Sequence, residues 1–136
     1  MENQDTLIGF VIKANGDMFF GQVPKGLQNL YKTIECDCIE GIRLKDAIMY
    51  IDEEGKFKPD AKMNKVASIL AWNNGLSLTD YIVGNAVIFG AVSPDGEYDG
   101  EDYDCPAYFS ELFTRFTNLS QNALDAFVAM CRDSLV

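Results

Sequence analysis

The stretch Tyr81–Val92, YIVGNAVIFGAV, decides how the rest of this 136-residue chain can fold. It is the longest apolar run in the sequence and is rich in β-branched residues, which favour strands. We therefore predict a central strand over residues 81–92. Gly84 and Gly90 interrupt the run, and they indicate a bulge or a close approach of another backbone segment.

Four shorter strands are predicted before this stretch. They cover residues 7–13, 18–22, 36–44 and 47–52. The first two flank Asn15-Gly16, a dipeptide that favours a two-residue hairpin turn because both turn positions need positive φ. Since several strands follow each other directly, the sheet should be largely antiparallel.

Four helices are predicted from apolar residues that recur with helical spacing. They lie near residues 26–34, 60–72, 107–116 and 121–133. Asp60 is the expected N-cap of the second helix and Ser120 of the fourth. The order β-β-α-β-β-α-β-α-α predicts an α+β fold, in which helices pack on a single mixed, largely antiparallel sheet of about five strands.

Charge is distributed unevenly along the chain. Residues 1–92 carry 12 acidic and 9 basic side chains, a net of −3, whereas residues 93–136 carry 9 and 2, a net of −7. Six carboxylates crowd into ten positions and form a candidate interaction surface: Asp95, Glu97, Asp99, Glu101, Asp102 and Asp104. A net charge of −10 repels phosphates, so direct nucleic-acid binding is not expected.

Targeting signals are not recognisable in the sequence. The first residues are acidic where a signal peptide is basic, and the apolar run Leu7–Ile12 is too short for its hydrophobic region. No stretch approaches the length of a membrane span. We therefore expect a cytoplasmic protein in which all four cysteines, Cys36, Cys38, Cys105 and Cys131, are free and bind no metal.

Catalytic motifs are also not recognisable. Histidine is absent, which excludes Ser-His and Cys-His nucleophilic machinery, and no catalytic or cofactor-binding residue is assigned. Cys36 and Cys38 would share one face of a strand, but the other two cysteines form no second pair for zinc. Residues 95–100 resemble half of a calcium loop, but Pro106 occupies the position of its bidentate carboxylate.

Two amides stand out in apolar surroundings. Asn85 interrupts the most apolar strand, and Asn64 lies on the second helix beside Met63. A buried amide costs about 1–3 kcal/mol unless it is hydrogen-bonded. We therefore expect both to serve local hydrogen-bond networks, with a structural role favoured over a functional one.

The region from Gly26 to about Val92 resembles the domain-of-unknown-function family 3846 of bacteria and phages. The resemblance is carried by the helix Gly26–Ile34, the strand Ile39–Leu44, the turn Asp52-Glu53-Glu54-Gly55, Asn64 with Ala67, and the segment Asp80–Gly90. It implies a small cytoplasmic protein often carried by phages, plasmids and gut bacteria, and it implies no reaction.

One domain is expected for a chain of this length. It would consist of the family-like core 26–92, an acidic loop 93–105 and a C-terminal helical pair 106–136. The leading hypothesis is a non-catalytic accessory protein of a phage or other mobile element that binds an unknown protein or small ligand. The alternative is an acidic nucleic-acid mimic that inhibits a DNA-binding defence enzyme; a carboxylate-based enzyme is least favoured. The oligomeric state stays open.

Overall fold

The computed structural model describes residues 5–133 and confirms the α+β fold. Five strands form the sheet: β1 (Thr6–Ile12), β2 (Met18–Pro24), β3 (Ile39–Leu44), β4 (Ala47–Asp52) and β5 (Ala86–Gly90). The four α-helices are α1 (Leu27–Ile34), α2 (Lys65–Asn73), α3 (Phe109–Thr117) and α4 (Gln121–Asp133). A short 3-10 turn at Gly55–Phe57 follows β4.

The sheet has the order β2-β1-β5-β4-β3, and each of these pairings is antiparallel. The predicted central strand, β5, lies in the middle. Ile88 of β5 pairs with Phe10 of β1 on one side and Met49 of β4 on the other. All residues of β5 are buried, because strands pair with both of its edges and helices pack on both faces of the sheet.

Side chains alternate between the two faces of the sheet, and each face has its own core. One face packs against α2, α3 and α4; its buried sheet residues include Phe10, Ile12, Met49 and Ile88. The other face packs against α1 through Val11, Val87 and Phe89. Helices therefore cover both faces, and the two ends of the sheet are left to loops.

The central strand is shorter than predicted. Hydrogen-bonded pairing covers Ala86–Gly90 rather than residues 81–92, because Gly84 has a φ of +87° and turns the chain away from the sheet. Before that turn the segment runs beside α2, where Ile82 accepts a hydrogen bond from the Asn64 amide. The bulge or close approach expected at Gly84 is not found, since a Cβ atom there would meet nothing nearer than the Asp52 Cβ at 4.0 Å; the residue instead forms a turn before the strand begins.

Asp60 is not the N-cap of α2, and the predicted start of this helix was wrong. The helix begins at Lys65, and Asn64 caps it by accepting a hydrogen bond from the Ala67 amide. The preceding residues are extended, since Met63 forms an antiparallel bridge with Val83. That pairing prevents the residues before Asn64 from entering the helix.

Two further boundaries differ from the prediction. β3 begins at Ile39, because Glu35 adopts a left-handed conformation that ends α1, and Cys36 and Cys38 therefore lie outside the strand. The β1–β2 hairpin has positive φ only at Gly16. Asn15 instead uses its side-chain oxygen to accept from the Asp17 amide, which gives a longer turn than two residues.

Cys36, Cys38 and Cys105 are free thiols, and the side chain of Cys131 lies outside the described residues. Burial raises the pKa of Cys105 to about 12. Since thiolates are the reactive form, this thiol is inert at neutral pH.

The Leu124 side chain is buried on α4, where Ser120 caps the helix by accepting from the Ala123 amide.

None of the helices described within residues 5–133 has the length and apolar character that a bilayer crossing needs.

Candidate functional site

The acidic loop is held to the end of the sheet where β5 finishes and β1 begins. Tyr103 and Gly90 exchange two backbone hydrogen bonds of 2.7 and 2.8 Å. The Cys105 amide donates to the Ile8 carbonyl at 2.8 Å. The second half of the loop thus continues the hydrogen bonding of the sheet.

Three of the six carboxylates anchor the loop. Asp102 accepts the Tyr50 hydroxyl proton through both oxygens, at 3.0 and 2.8 Å. Asp104 accepts from the Ile8 amide at 2.7 Å, and Asp99 accepts from the Tyr103 hydroxyl at 2.5 Å. The bonds of Asp102 and Asp104 hold the loop to the end of the sheet, and the bond of Asp99 is internal to the loop.

The other three carboxylates, Asp95, Glu97 and Glu101, are exposed. Their side chains take part in no hydrogen bond or ion pair with any residue between 5 and 133 that the structure describes. We call them the unpaired carboxylates. The predicted candidate surface therefore divides into anchors and unpaired carboxylates, and both oxygens of each unpaired carboxylate are open to a partner.

Gly90 explains why the loop can approach so closely. A Cβ atom at this position would lie 2.4 Å from the carbonyl oxygen of Asp104, a distance that no real Cβ contact shows. The close backbone approach predicted at Gly90 is confirmed. Only glycine leaves room here for the Tyr103–Asp104 backbone.

The anchoring hydroxyls stay protonated and the Asp99 carboxylate stays charged over a wide pH range. The hydrogen bond to Asp99 is the main cause that raises the pKa of Tyr103 to about 12, and the same bond lowers the pKa of Asp99. Desolvation, followed by the bond to Asp102, raises the pKa of Tyr50. A phenol that donates to a carboxylate loses this bond when it ionises.

A further acidic residue, Asp46, lies beside the loop. The Tyr98 hydroxyl donates to its carboxylate at 2.9 Å, and the guanidinium of Arg43 lies 4.8 Å from the centre of the Tyr98 ring. The first half of the loop is therefore also attached to the sheet, through the β3–β4 turn that carries Asp46.

Asn64 lies at the opposite end of the sheet, 1% exposed. Besides capping α2, it donates to the carbonyls of Ile12 and Gly84, both at 2.9 Å. One side chain thus ties α2 to the end of β1 and to the turn that precedes β5. Its position and bonding give it a structural role.

Asn85 lies near Asn64 and binds the same end of β1. Its side-chain oxygen accepts from the Ala14 amide at 3.0 Å, and its nitrogen donates to the Ile34 carbonyl at 3.1 Å and to Glu35 at 3.2 Å. The two amides therefore meet at one end of the sheet, whereas the acidic loop occupies the other end.

Two features at this end were not foreseen from the sequence. A cleft of about 310 Å³ beside Asn85 contains the buried Asp52, whose carboxylate lies 2.5 Å from the Lys58 ammonium. A second cavity, of about 260 Å³, lies between the hairpin turn and the first turn of α2. Neither has a local sequence signal, because their linings come from segments that are far apart in the chain.

No curated protein and no solved structure with which the chain was compared matches it. The model of the family described as Domain of unknown function (DUF3846) matches residues 10–114, from β1 to α3 and thus more than half of the chain. This match is wider than the resemblance over residues 26–92 predicted from the sequence. The chain belongs to the DUF3846 family.

Proposed function

We propose that this protein is a non-catalytic binding protein that docks a basic surface of a partner protein onto its acidic loop. The observation that carries the proposal is the fixed geometry of the loop. Backbone groups of the loop and the carboxylates of Asp102 and Asp104 are hydrogen-bonded to the sheet, and Asp99 accepts from Tyr103 within the loop. The carboxylates of Asp95, Glu97 and Glu101 are exposed and unpaired.

A fixed loop is suited to binding because its ordering cost is met during folding rather than on association. Carboxylates held close together repel one another, which makes the free protein less stable and a complex with a cationic partner more favourable. Complementary charge also speeds the encounter of the two surfaces. These effects support binding without any bond-breaking chemistry.

The polar groups at the other end of the sheet support the same proposal. Asn64 and Asn85 satisfy backbone groups, and Asp52 is neutralised by Lys58. Each of these side chains has a role in holding the fold. A carboxylate-based enzyme is therefore the less favoured proposal.

The cellular context is a proposal as well. Free Cys36, Cys38 and Cys105 support a reducing, cytoplasmic location. The family resemblance supports an accessory role in a bacterium, phage or other mobile element. In that setting the DNA-binding enzymes of host defence are one class of basic partner. The second candidate function is therefore that the acidic loop mimics nucleic acid and inhibits such an enzyme. It is supported by the presence of six carboxylates within the ten residues 95–104.

The test compares capture of proteins from a bacterial lysate by three forms of the chain. The first is the wild type, and the second carries Asp95→Asn, Glu97→Gln and Glu101→Gln. The matched control carries Asp37→Asn, Glu53→Gln and Glu54→Gln, which removes the same charge from exposed residues at the other end of the sheet. We expect a partner that the wild type and the control retain and the loop variant loses.

Added duplex DNA distinguishes the two candidates. If the partner is a DNA-binding enzyme and the loop is a mimic, duplex DNA should displace it from the wild type. If the partner is another basic protein, DNA should have no effect beyond that of its salt. Equal capture by all three forms would contradict the proposed function.

A further inference from the structure

The cavity beside the hairpin turn has an apolar floor. Ile12, Val66 and Leu124 contribute buried side chains to it, and Phe116 of α3 contributes a half-buried one. Its volume is about 260 Å³. At about 30 Å³ for each liquid water, this is room for roughly nine waters, or for a ligand with a similar number of non-hydrogen atoms.

The rim of this cavity is basic in a protein that is strongly acidic. Lys13, Lys62 and Lys65 line it, and among the described residues no aspartate or glutamate does. The chain as a whole has 21 acidic and 11 basic side chains. The charge of the lining therefore has the opposite sign to the net charge, although Lys13 and Lys62 also line the neighbouring cleft, which contains Glu35, Asp52 and Asp60.

Two of the three lysines have carboxylate neighbours outside the cavity. The Lys65 ammonium lies 2.5 Å from Asp125, and that of Lys13 lies 3.5 Å from Glu35, and both carboxylates are more than half exposed. Exposed ion pairs of this kind are weak and exchange readily. Lys62 forms no ion pair with any residue that the structure describes.

The helix ends at the cavity contribute with both signs. The first turns of α2 and α4 line it, the latter through Leu124, and favour an anion, whereas the last turn of α3, at Phe116 and Thr117, opposes one. Each helix end carries only a partial charge, so the fully charged lysines contribute most to the charge that the cavity accepts.

We propose that this cavity binds a small carboxylate with an apolar body, an alkyl or aryl acid of roughly eight to ten non-hydrogen atoms. The apolar body contacts Ile12, Val66 and Leu124, and the carboxylate lies at the rim near Lys62. Inorganic anions lack the apolar surface that would be buried on this floor. Two kinds of ligand have a carboxylate next to an apolar group: a free alkyl or aryl acid, and the C-terminus of a peptide that ends in an apolar residue.

In the experiment, NMR follows the methyl-labelled protein as it is titrated with hexanoate, with the neutral analogue 1-hexanol and with the cationic analogue hexylamine. Hexanoate should shift the methyl signals of Ile12, Val66 and Leu124. Hexanol should bind about threefold more weakly or worse, and hexylamine more weakly still, because each lacks the charge that the lysines attract. Equal binding of hexanoate and hexanol, or no shift up to about 10 mM, would overturn the proposal.

Two variants connect the preference to the rim. Lys62→Gln should weaken hexanoate about two- to fivefold and leave hexanol unchanged. Lys32→Gln, at an exposed position on α1 away from the cavity, should change neither. Unchanged melting temperatures would show that both variants are folded, and an equal effect of the two substitutions would contradict the assignment of Lys62.

The source of the carboxylate is distinguished with a tripeptide that ends in leucine, as the free acid and as the amide. Binding of the acid form, but not the amide, at least as tight as that of hexanoate would identify a peptide terminus as the occupant. Weaker binding of the peptide acid than of hexanoate would identify a free acid. Equal binding of the peptide acid and its amide would count against the carboxylate site itself.

Discussion

Asn64 connects three segments with one buried side chain, so its removal should be costly. Asn64→Ala deletes the cap of α2, worth about 1 kcal/mol, and removes the Asn64 donor from the buried Ile12 carbonyl and from the part-buried Gly84 carbonyl. We expect the free energy of unfolding to fall by about 3 kcal/mol, measured by urea denaturation. Asn85→Ala, at a half-buried position, should cost about 1 kcal/mol. A loss below about 1 kcal/mol for Asn64→Ala would contradict this role.

Tyr50 and Tyr103 should make the attachment of the loop sensitive to alkaline pH. Their folded pKa values lie above the value of about 10 for an unfolded tyrosine. The stability that they contribute is therefore complete below pH 10 and is lost as the pH rises through the folded value, about 12 for Tyr103. Asp99→Ala should return the pKa of Tyr103 towards 10, measured by tyrosinate absorbance. The control Glu97→Ala should not, and an equal effect of both substitutions would count against the Asp99 bond.

The pairing of β5 with the loop depends on glycine at position 90. Gly90→Ala places a methyl group against the Asp104 carbonyl, so the loop has to move. The Tyr103 amide donates to the Gly90 carbonyl and the Cys105 amide to the Ile8 carbonyl, and both bonds weaken if the loop moves away from the sheet. We therefore expect hydrogen exchange of these two amides to become at least about tenfold faster. Gly21→Ala in β2 is the matched control, because its nearest neighbour would be a phenyl carbon 3.4 Å away. Unchanged exchange in Gly90→Ala would show that the loop does not rely on this contact.

The six carboxylates of the loop should differ in their effect on stability. Asp102→Ala together with Asp104→Ala removes the acceptors of the Tyr50 hydroxyl and the Ile8 amide, and should lower the free energy of unfolding by about 1–2 kcal/mol. Asp95→Ala together with Glu101→Ala should change it by less than about 0.5 kcal/mol, or raise it by relieving repulsion. Urea denaturation at low and moderate salt measures both. A larger loss from the second pair would mean that the unpaired carboxylates hold the fold.

The central strand shows which boundaries can be predicted. The apolar, β-branched run around Ile88 was enough to place β5 in the middle of the sheet, and the glycine at position 90 was enough to expect a close approach. The start of β5 was not predictable, because it depends on the left-handed turn at Gly84. The start of α2 was missed for a similar reason. Asp60 has the right residue type for a cap, but pairing between Met63 and Val83 delays the helix to Asn64.

The candidate surface was only partly predictable. Composition alone located the acidic loop, since six carboxylates in ten residues need no structure to be noticed. Its division into anchors and unpaired carboxylates depends on Tyr50 and Ile8, which lie tens of residues away in the chain. The lysine-lined cavity has no sequence signal at all. Lys13, Lys62 and Phe116 come together only because the hairpin, α2 and α3 meet at one end of the sheet.

The protein as a whole places its two candidate sites at opposite ends of one sheet. The acidic loop follows β5 at Gly90, and the lysine-lined cavity includes Ile12, whose strand partner is Ala86 at the start of β5. At physiological salt the screening length is about 8 Å, so exposed charges that are separated by more than this distance interact only weakly. We therefore expect ligand binding at the cavity and partner binding at the loop to be independent.

The function proposed for the chain rests on a loop that is already ordered in the free protein, and nitrogen-15 relaxation measures this directly. We expect backbone order parameters of about 0.8 or higher for Glu101–Asp104, similar to those of β5, because these residues are bonded to Gly90, Ile8 and Tyr50. In Gly90→Ala the same residues should become more flexible while the sheet does not. Order parameters below about 0.6 for Glu101–Asp104 in the wild type, with a rigid β5, would contradict a preformed acidic surface.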